Sequence, residues 1–295
     1  MSQRQVFLII VFIVLLNLTG PILLDDLFYP EYFDKIRAEG NEEGEVKEVN
    51  KVKNLNHAIV EYGLFDLLST YTTSFNPDEE NRNENIRLAA ESIDELMVKP
   101  GAIFSFNDIV GPRTEARGYQ QALEIVAGEL VDGIGGGICQ VTSTLYNSVL
   151  MANLEIKARR NHSRPVSYVD KGRGATVYYD SIDFKFKNSS SKPIIILSSI
   201  NNNQLTVSIL GRRETNKSIS IETEIIEVLN PEQERKIDDS LNRGESEVIQ
   251  SGQKGYKVRV FRVVREGSSI NREIITTDVF SPRNEVIAIS PFDAR

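Results

Sequence analysis

Few residues of this chain can carry covalent chemistry. Its one cysteine, Cys139, follows three consecutive glycines in Gly135-Gly136-Gly137-Ile138-Cys139, a run that reads as a loop entering a helix. A thiol in the first turn of a helix sits at the positive end of the backbone dipole, which favours thiolate. Glycines leave backbone N–H groups unshielded, as an oxyanion site requires. Gly136, Gly137 and the following Gln140 are therefore candidate oxyanion or loop residues. The same run also fits a tight turn before a buried helix. A cysteine nucleophile needs a base and a group that orients the base. Of the two histidines, His57 lies in a polar stretch with nothing patterned around it; His162 lies beyond the Cys139 helix, where the chain returns as a strand. Asp183 on the next strand could hold the imidazole, with Asp180 and Asp170 as alternatives.

This layout, a helix-start cysteine followed by a strand-borne histidine, is that of papain-like and transglutaminase-like enzymes, an analogy of arrangement alone. Around His162 runs a basic cluster, Lys157, Arg159, Arg160, Arg164, Lys171 and Arg173. In an acidic chain such a local positive field favours an anionic ligand, although a solvated strand face has the same composition. Arg113, after Gly111-Pro112, could clamp a carboxylate with both arms of its guanidinium.

The elements that must position these groups can be read from periodicity. Asn85 to Met97 has helical spacing of Ile86, Ala89, Ala90, Ile93 and Leu96, and Pro100-Gly101 ends it. Ala102 to Asn107 is a short strand, Tyr119 to Val126 a second helix, and Gly128 to Gly137 loop-rich. From Ile138 to about Asn153, Ile138, Val141, Leu145 and Val149 form one apolar stripe. Cys139 lies off that stripe, with Ser143 and Tyr146 on its own face, so burial would require a helix covered on both sides. Past Glu155 the pattern turns β-like, with strands at Ile156–Arg159, Val166–Val169, Ala175–Tyr179 and Ile182–Phe186. A central strand follows at Ile194–Leu197, and a turn at Asn201-Asn202-Asn203 leads into Leu205–Leu210. Residues 216–295 read as a separate unit of thin, extended sheets.

Composition bounds the setting. Of the 295 residues 40% are hydrophobic and 26% charged, as in globular proteins. A net charge of −8 and a pI near 5.1 argue against nucleic acid as partner. One cysteine permits neither an intramolecular disulfide nor a Cys-cluster metal site, and two histidines leave little scope for zinc; no metal and no cofactor are expected. Val6 to Leu24 is long and apolar enough to cross a bilayer, with Arg4 before it and Asp25-Asp26 after it. The charge bias places the body outside the cytoplasm, and no cleavage site is obvious, so an uncleaved anchor is expected at 1–24. An acidic spacer at 25–63 then precedes domains at 64–213 and 216–295. The expected fold class is α+β: a mixed helix and antiparallel-sheet domain of catalytic type, then an extended all-β module, with one transmembrane helix ahead of both.

Longer motifs carry a family resemblance. Pro100-Gly101-Ala102-Ile103-Phe104-Ser105-Phe106-Asn107, Val110-Gly111-Pro112-Arg113-Thr114 and Gly118-Tyr119 resemble the opening of the VanW domain. Gly135 to Asn147, with Gly-Gly-Gly-Ile-Cys-Gln-Val-Thr-Ser-Thr-Leu-Tyr-Asn, resembles its signature; Asn161-His162-Ser163 and Ala175-Thr176-Val177 continue the match. The likeness covers roughly Leu68 to Gly211. About Ser218 to Ser290 more loosely resembles the G-five domain of cell-wall proteins, through Gly244, Gln250-Ser251-Gly252 and Gly255. The VanW resemblance, to a family named from a vancomycin-resistance gene cluster, implies a peptidoglycan acyltransferase of L,D-transpeptidase type with Cys139 as nucleophile. Its partners would be stem peptides, with glycan as a further candidate. Arg113, Ser143, Tyr146, Arg160, Arg164 and Arg173 are then the expected substrate contacts. Alternatives are a non-catalytic wall-binding or accessory protein and a cysteine hydrolase that trims stem peptides. One departure stands out: the family usually carries an acidic residue just before Ala175-Thr176-Val177, where this chain has Gly174.

Overall fold

The all-apolar run Ile194-Ile195-Ile196-Leu197 has the composition of a strand covered on both faces, and all four residues are buried. In the computed structural model, which describes residues 49–126, 129–213 and 215–294, this run lies in the middle of a five-stranded antiparallel sheet. The strand order is β1 (Val49–Lys51), β3 (Leu96–Val98), β9 (Ile194–Asn201), β10 (Gln204–Gly211) and β2 (Asp66–Ser74). The β9–β10 hairpin turns through Asn202 and Asn203, both at positive φ (47° and 59°), which asparagine tolerates better than most residues.

Side chains alternate between the two faces of a strand, and β9 divides its apolar residues accordingly. Ile194 and Ile196 enter the main core beneath α2 (Glu80–Ile93) and α4 (Ile138–Met151). Ile195 and Leu197 face the opposite side, where they pack with Leu55, Ala58 and Ile59 of α1 (Leu55–Tyr62). The spacer expected at 25–63 therefore gives way to folded structure at Val49: β1 pairs with β3, and α1 closes one face of the sheet.

Helix α4 crosses the sheet buried on nearly every side. Its small polar residues allow this because each finds a partner. Ser148 Oγ donates to the Val207 carbonyl (2.6 Å), Thr144 and Thr73 share a 2.8 Å hydroxyl bond, and the Ser148 carbonyl accepts from Ser69 Oγ (2.7 Å). Beyond it lies a small sheet in the order β4 (Ile103–Ser105), β8 (Lys185–Lys187), β7 (Glu155–Ala158). Phe104 stacks on Phe186 at 5.0 Å between ring centres, and Phe184 meets Tyr146 edge-on at 5.7 Å. The five-residue helix α3 (Phe106–Val110) follows β4 directly.

Four local expectations fail. The helix expected at Tyr119–Val126 is strand β5 (Gln121–Val126), and the expected loop contains β6 (Glu129–Ile134), its antiparallel partner. Apolar spacing over so short a run fits both periods, and hairpin pairing decides it. The strand expected at Val166–Val169 does not form. The one at Ala175–Tyr179 makes isolated bridges, Arg160↔Thr176 and Tyr178↔Ile182, because part of its backbone bonds to α4 side chains instead.

The C-terminal region is all-β. A sheet of β11 (Ser218–Leu229), β14 (Gly255–Glu266) and β15 (Ser269–Phe280) is followed by a second of β12 (Gln233–Ile237), β16 (Glu285–Ile289) and β13 (Ser246–Gln250), with β12 and β16 parallel. Thin extended sheets were expected; their docking on the first domain was not. Ile221 and Ile275 pack against the main core, and Arg262 donates to the Leu154 carbonyl (3.0 Å). The expected anchor at 1–24 lies outside the described residues; among the described residues no helix is long and apolar enough to cross a membrane.

Candidate functional site

The three glycines before Cys139 each have a physical reason. Gly135 and Gly137 adopt φ of 102° and 103°, which L side chains rarely tolerate. A Cβ at Gly136 would stand 2.5 Å from the Leu123 carbonyl oxygen, so only glycine lets the loop run beneath the β5–β6 hairpin. Asn85, wholly buried on α2, clamps this loop: its Nδ2 donates to the carbonyls of Gln120 (2.9 Å) and Gly136 (3.0 Å), and its Oδ1 accepts from the Gln120 N–H (2.7 Å). Gly137 starts α4 without any side-chain cap.

From Ile138 to Leu150 every residue of α4 is buried except Cys139, which keeps partial exposure on an open cleft of about 1620 Å³. The cleft is lined by the β5–β6 hairpin, the glycine loop, Arg113, the 165–168 segment and Tyr178-Tyr179. The Cys139 face of α4 is covered by extended chain running antiparallel to the helix. Asn147 Nδ2 donates to the Arg173 carbonyl (2.9 Å), Ser143 Oγ accepts from the Ala175 N–H (2.9 Å), and Cys139 Sγ accepts from the Val177 N–H (3.5 Å). Four helical residues rise about 6 Å and two extended residues about 6.6 Å, so the two spacings nearly match.

Burial pushes the Cys139 thiol above its ordinary pKa; the Val177 contact and the charge of Arg113 oppose this without overcoming it. Burial thus opposes the thiolate that a helix start would favour. A nucleophilic role for this sulfur would require a base. His162 lines the same cleft, is 6% exposed, and bonds through Nε2 to the Tyr168 hydroxyl (3.2 Å). Burial, and then the nearby Arg159 charge, hold the imidazole down at about 4, so it is neutral at physiological pH. Burial and the proximity of Cys139 raise the Tyr168 phenol, which also interacts with Ser143 on the Cys139 face. Tyr168 thus bonds His162 and lies close enough to Cys139 to feel its charge. Tyr168 was missed in the sequence because a tyrosine carries no motif; its place six residues past His162 on a chain returning to α4 was the available signal.

Asp183 does not orient the imidazole. Its carboxylate accepts from Ser105 Oγ (2.6 Å), Asn107 N–H (2.9 Å) and Phe184 N–H (2.8 Å), fastening α3 to β8. Neither Asp180 nor Asp170 bonds the ring; Nδ1 of His162 has no hydrogen-bond partner among the described residues. The reason lies at Gly174, where a Cβ would stand 2.6 Å from Nδ1. The glycine packs directly on the imidazole and leaves no carboxylate there.

The other expected contacts sort by position. Arg113 lines the cleft with both terminal guanidinium nitrogens buried and unpaired among the described residues; it lies 5.7 Å from the centre of the Phe106 ring and 5.5 Å from that of Tyr179. Burial lowers its pKa, offset in part by Tyr119, Cys139 and Asp183. Gln140 is structural, with bonds to Thr73 Oγ1 (3.0 Å), the Ser74 carbonyl (2.9 Å) and Arg82 (2.7 Å). Ser143 is wholly buried and bonded to backbone at Cys139 and Ala175. Tyr146 is buried under Arg159, 5.1 Å from its ring centre. Arg173 bonds Asn147 Oδ1 (2.5 Å) over the Tyr71 ring. Arg160 is exposed, and Arg164 is half-buried just before the 165–168 segment; neither lines the cleft. Half of the basic cluster, Arg159, Lys171 and Arg173, is built into the scaffold, while Arg113 lines the cleft.

Comparison with known proteins agrees with this division. Residues 81–210 match the family model described as VanW like protein, and residues 220–290 the one described as G5 domain. The chain is 41% identical over 174 residues to "Uncharacterized protein YoaR" of Bacillus subtilis (strain 168), covering 59% of this chain and 57% of that protein. It is 33% identical over 117 residues to "Vancomycin B-type resistance protein VanW" of Enterococcus faecalis (strain ATCC 700802 / V583), covering 38% and 42%. The match thus spans about half the length of these curated relatives. Among solved structures, HP0197-G5 matches 25% of this chain and 97% of its own at 23% identity and a TM-score of 0.18.

Proposed function

From a chain that carries a VanW-like domain followed by a G5 domain, we propose that this is a cell-wall protein whose Cys139 performs acyl transfer on peptidoglycan stem peptides, as an L,D-transpeptidase does. The pairing of the two domains supports a cell-wall-related role. The observation that carries the chemistry is Cys139 itself: the one residue of α4 between Ile138 and Leu150 that is not buried, on a cleft it shares with Tyr168 and His162. The apolar segment Val6–Leu24 supports a membrane anchor with the body outside the cytoplasm.

In this reading Sγ attacks the carbonyl carbon of the donor peptide bond. The thiol proton passes to the Tyr168 oxygen as the phenolic proton passes to Nε2 of His162, which is free to accept in the tautomer protonated at Nδ1. The oxyanion develops beside the uncapped start of α4, where first-turn N–H groups and the dipole favour negative charge. Collapse breaks the C–N bond, and the departing amine takes the proton back through the same relay. An acceptor amine then attacks the thioester and loses its proton to the relay; the sulfur leaves and is reprotonated. Arg113, charged and unpaired, suits a carboxylate of the stem peptide.

The test is incubation of the protein with stem peptides followed by mass spectrometry. A thioester adduct on Cys139, absent in Cys139→Ala, together with amine-dependent crosslink formation, is the expected result. A wall-bound protein with no adduct at any pH across the thiol's titration would instead be an accessory binder, a reading favoured by the raised thiol and lowered imidazole. An adduct released only by water would make it a hydrolase.

A further inference from the structure

Among the described residues no charged group bonds the His162 ring, whose Nε2 meets Tyr168 and whose Nδ1 faces Gly174. The holding contacts lead into the C-terminal domain. Arg159, at the end of β7, donates from Nε to the Gly174 carbonyl (2.7 Å) and from one terminal nitrogen to the carbonyls of Gly172 (3.1 Å) and Gly174. Its other terminal nitrogen meets Asp278 Oδ1 of β15 at 2.6 Å. Both side chains of that pair are almost fully buried, 6% and 3% exposed, and Thr276 Oγ1 donates to the same carboxylate oxygen (2.9 Å). Gly174, held in this way, is the residue that packs on Nδ1 of His162.

A second strap lies on the other side of the histidine. Asn161 Nδ2 donates both to the His162 carbonyl (2.9 Å) and to the Val279 carbonyl of β15 (3.1 Å). Gly172 is pressed against β14, where a Cβ would stand 2.6 Å from Val260 Cγ2, and Lys171 lies 4.6 Å from the ring centre of Tyr256. The loop from Arg159 to Gly174 thus carries the histidine and the tyrosine while it is fastened along its length to β14 and β15.

We infer that Asp278 of the C-terminal domain is a positioning residue for the cysteine site: through Arg159 it fixes the Gly172–Gly174 turn and thereby the imidazole of His162. The inference rests on the reading of Cys139, Tyr168 and His162 as the reacting groups. It makes the G5 domain part of the site, so a wall component that bound this domain would act directly on the loop carrying the base. A buried ion pair is costly to assemble and more costly to leave half-made. If Asp278 is lost, Arg159 is expected to leave the two carbonyls for water, and the ring gains solvent.

The full chain labelled at its histidine rings tests this without any turnover, so the outcome stands apart from whether acyl transfer occurs. It contains two histidines, and His57 on α1 is the internal reference. The charged and titratable groups facing His162 are Arg159 and Tyr168, with Asp170 and Lys171 across the small cavity beside it. In Asp278→Asn the His162 midpoint should rise from about 4 toward 6.5, by at least about one pH unit, while His57 stays in place. Asp278→Glu should restore part of the difference. Arg262→Ala, which removes a docking contact at Leu154 without touching Arg159, should leave His162 unmoved. If Asp278→Asn fails to fold, Arg159→Lys decides, since lysine keeps the charge but cannot span both carbonyls; the same rise is expected. An unchanged or lower midpoint overturns the inference, as does an equal rise in Arg262→Ala.

Discussion

The hydroxyl of Tyr168 stands 3.2 Å from Nε2 of His162, and this phenol is the sole hydrogen-bond partner of the imidazole side chain among the described residues. In the proposed mechanism the imidazole exchanges protons with Cys139 through this tyrosine. Tyr168→Phe removes the hydroxyl and keeps the ring packing. The thioester-forming rate with stem peptide should fall about 10²–10⁴-fold, the usual span of acid–base assistance, with the thermal midpoint nearly unchanged. A variant as fast as the parent would remove Tyr168 from the mechanism.

Arg113 lines the cleft, and its two terminal guanidinium nitrogens are buried without a partner among the described residues. Arg113→Lys keeps the charge and loses the fork. Stem peptide with a free carboxylate should bind roughly 10-fold or more weakly, and the amidated peptide should bind both proteins alike. Equal loss for both peptides in calorimetric titrations would show that Arg113 does not read the carboxylate.

Asn85 satisfies three backbone groups of the glycine loop from a fully buried position. Asn85→Ala leaves them without partners and should cost at least about 2 kcal/mol. The loop that opens α4 should also loosen, giving faster hydrogen exchange at Gly136 and slower acylation of Cys139. Chemical denaturation and exchange measured on the same preparation would check both effects.

The depressed imidazole of His162 has a consequence for acid stability. The unfolded chain takes up a proton below about 6.5, and the folded chain resists until about 4. Stability is therefore full above 6.5 and is lost as pH falls toward 4, by roughly 3 kcal/mol. Other groups titrate in the same window, so the measurement is a difference: His162→Gln should show less acid sensitivity than the parent in thermal melts. Parallel melting curves would mean that the histidine is protonated in the folded protein.

Much of the scaffold was readable from local pattern. The unbroken run at Ile194–Leu197 announced a strand covered on both faces, and the asparagines after it a hairpin. Helix α4 was readable from its stripe, although the stripe concealed that Ser143, Thr144 and Ser148 are buried as well. Their hydroxyls are satisfied by chain far away in sequence, which periodicity cannot register. The β5–β6 hairpin was misread for a related reason: pairing is a relation between two segments, while spacing describes one.

At the site, the sequence by itself determined that Cys139 is the single thiol, that three glycines precede it, and that His162 is the one histidine beyond its helix. Those follow from residue types and their order. Tertiary structure decided the rest. It drew Asp183 away to α3, placed Tyr168 on the imidazole, set Gly174 against Nδ1 and carried the restraint on that turn to Asp278 in the other domain. The physical reason is desolvation. Whether a thiol is ionised, a histidine neutral or an arginine paired depends on which groups the folded chain buries together, and neighbours at that range are not written in the order of the residues.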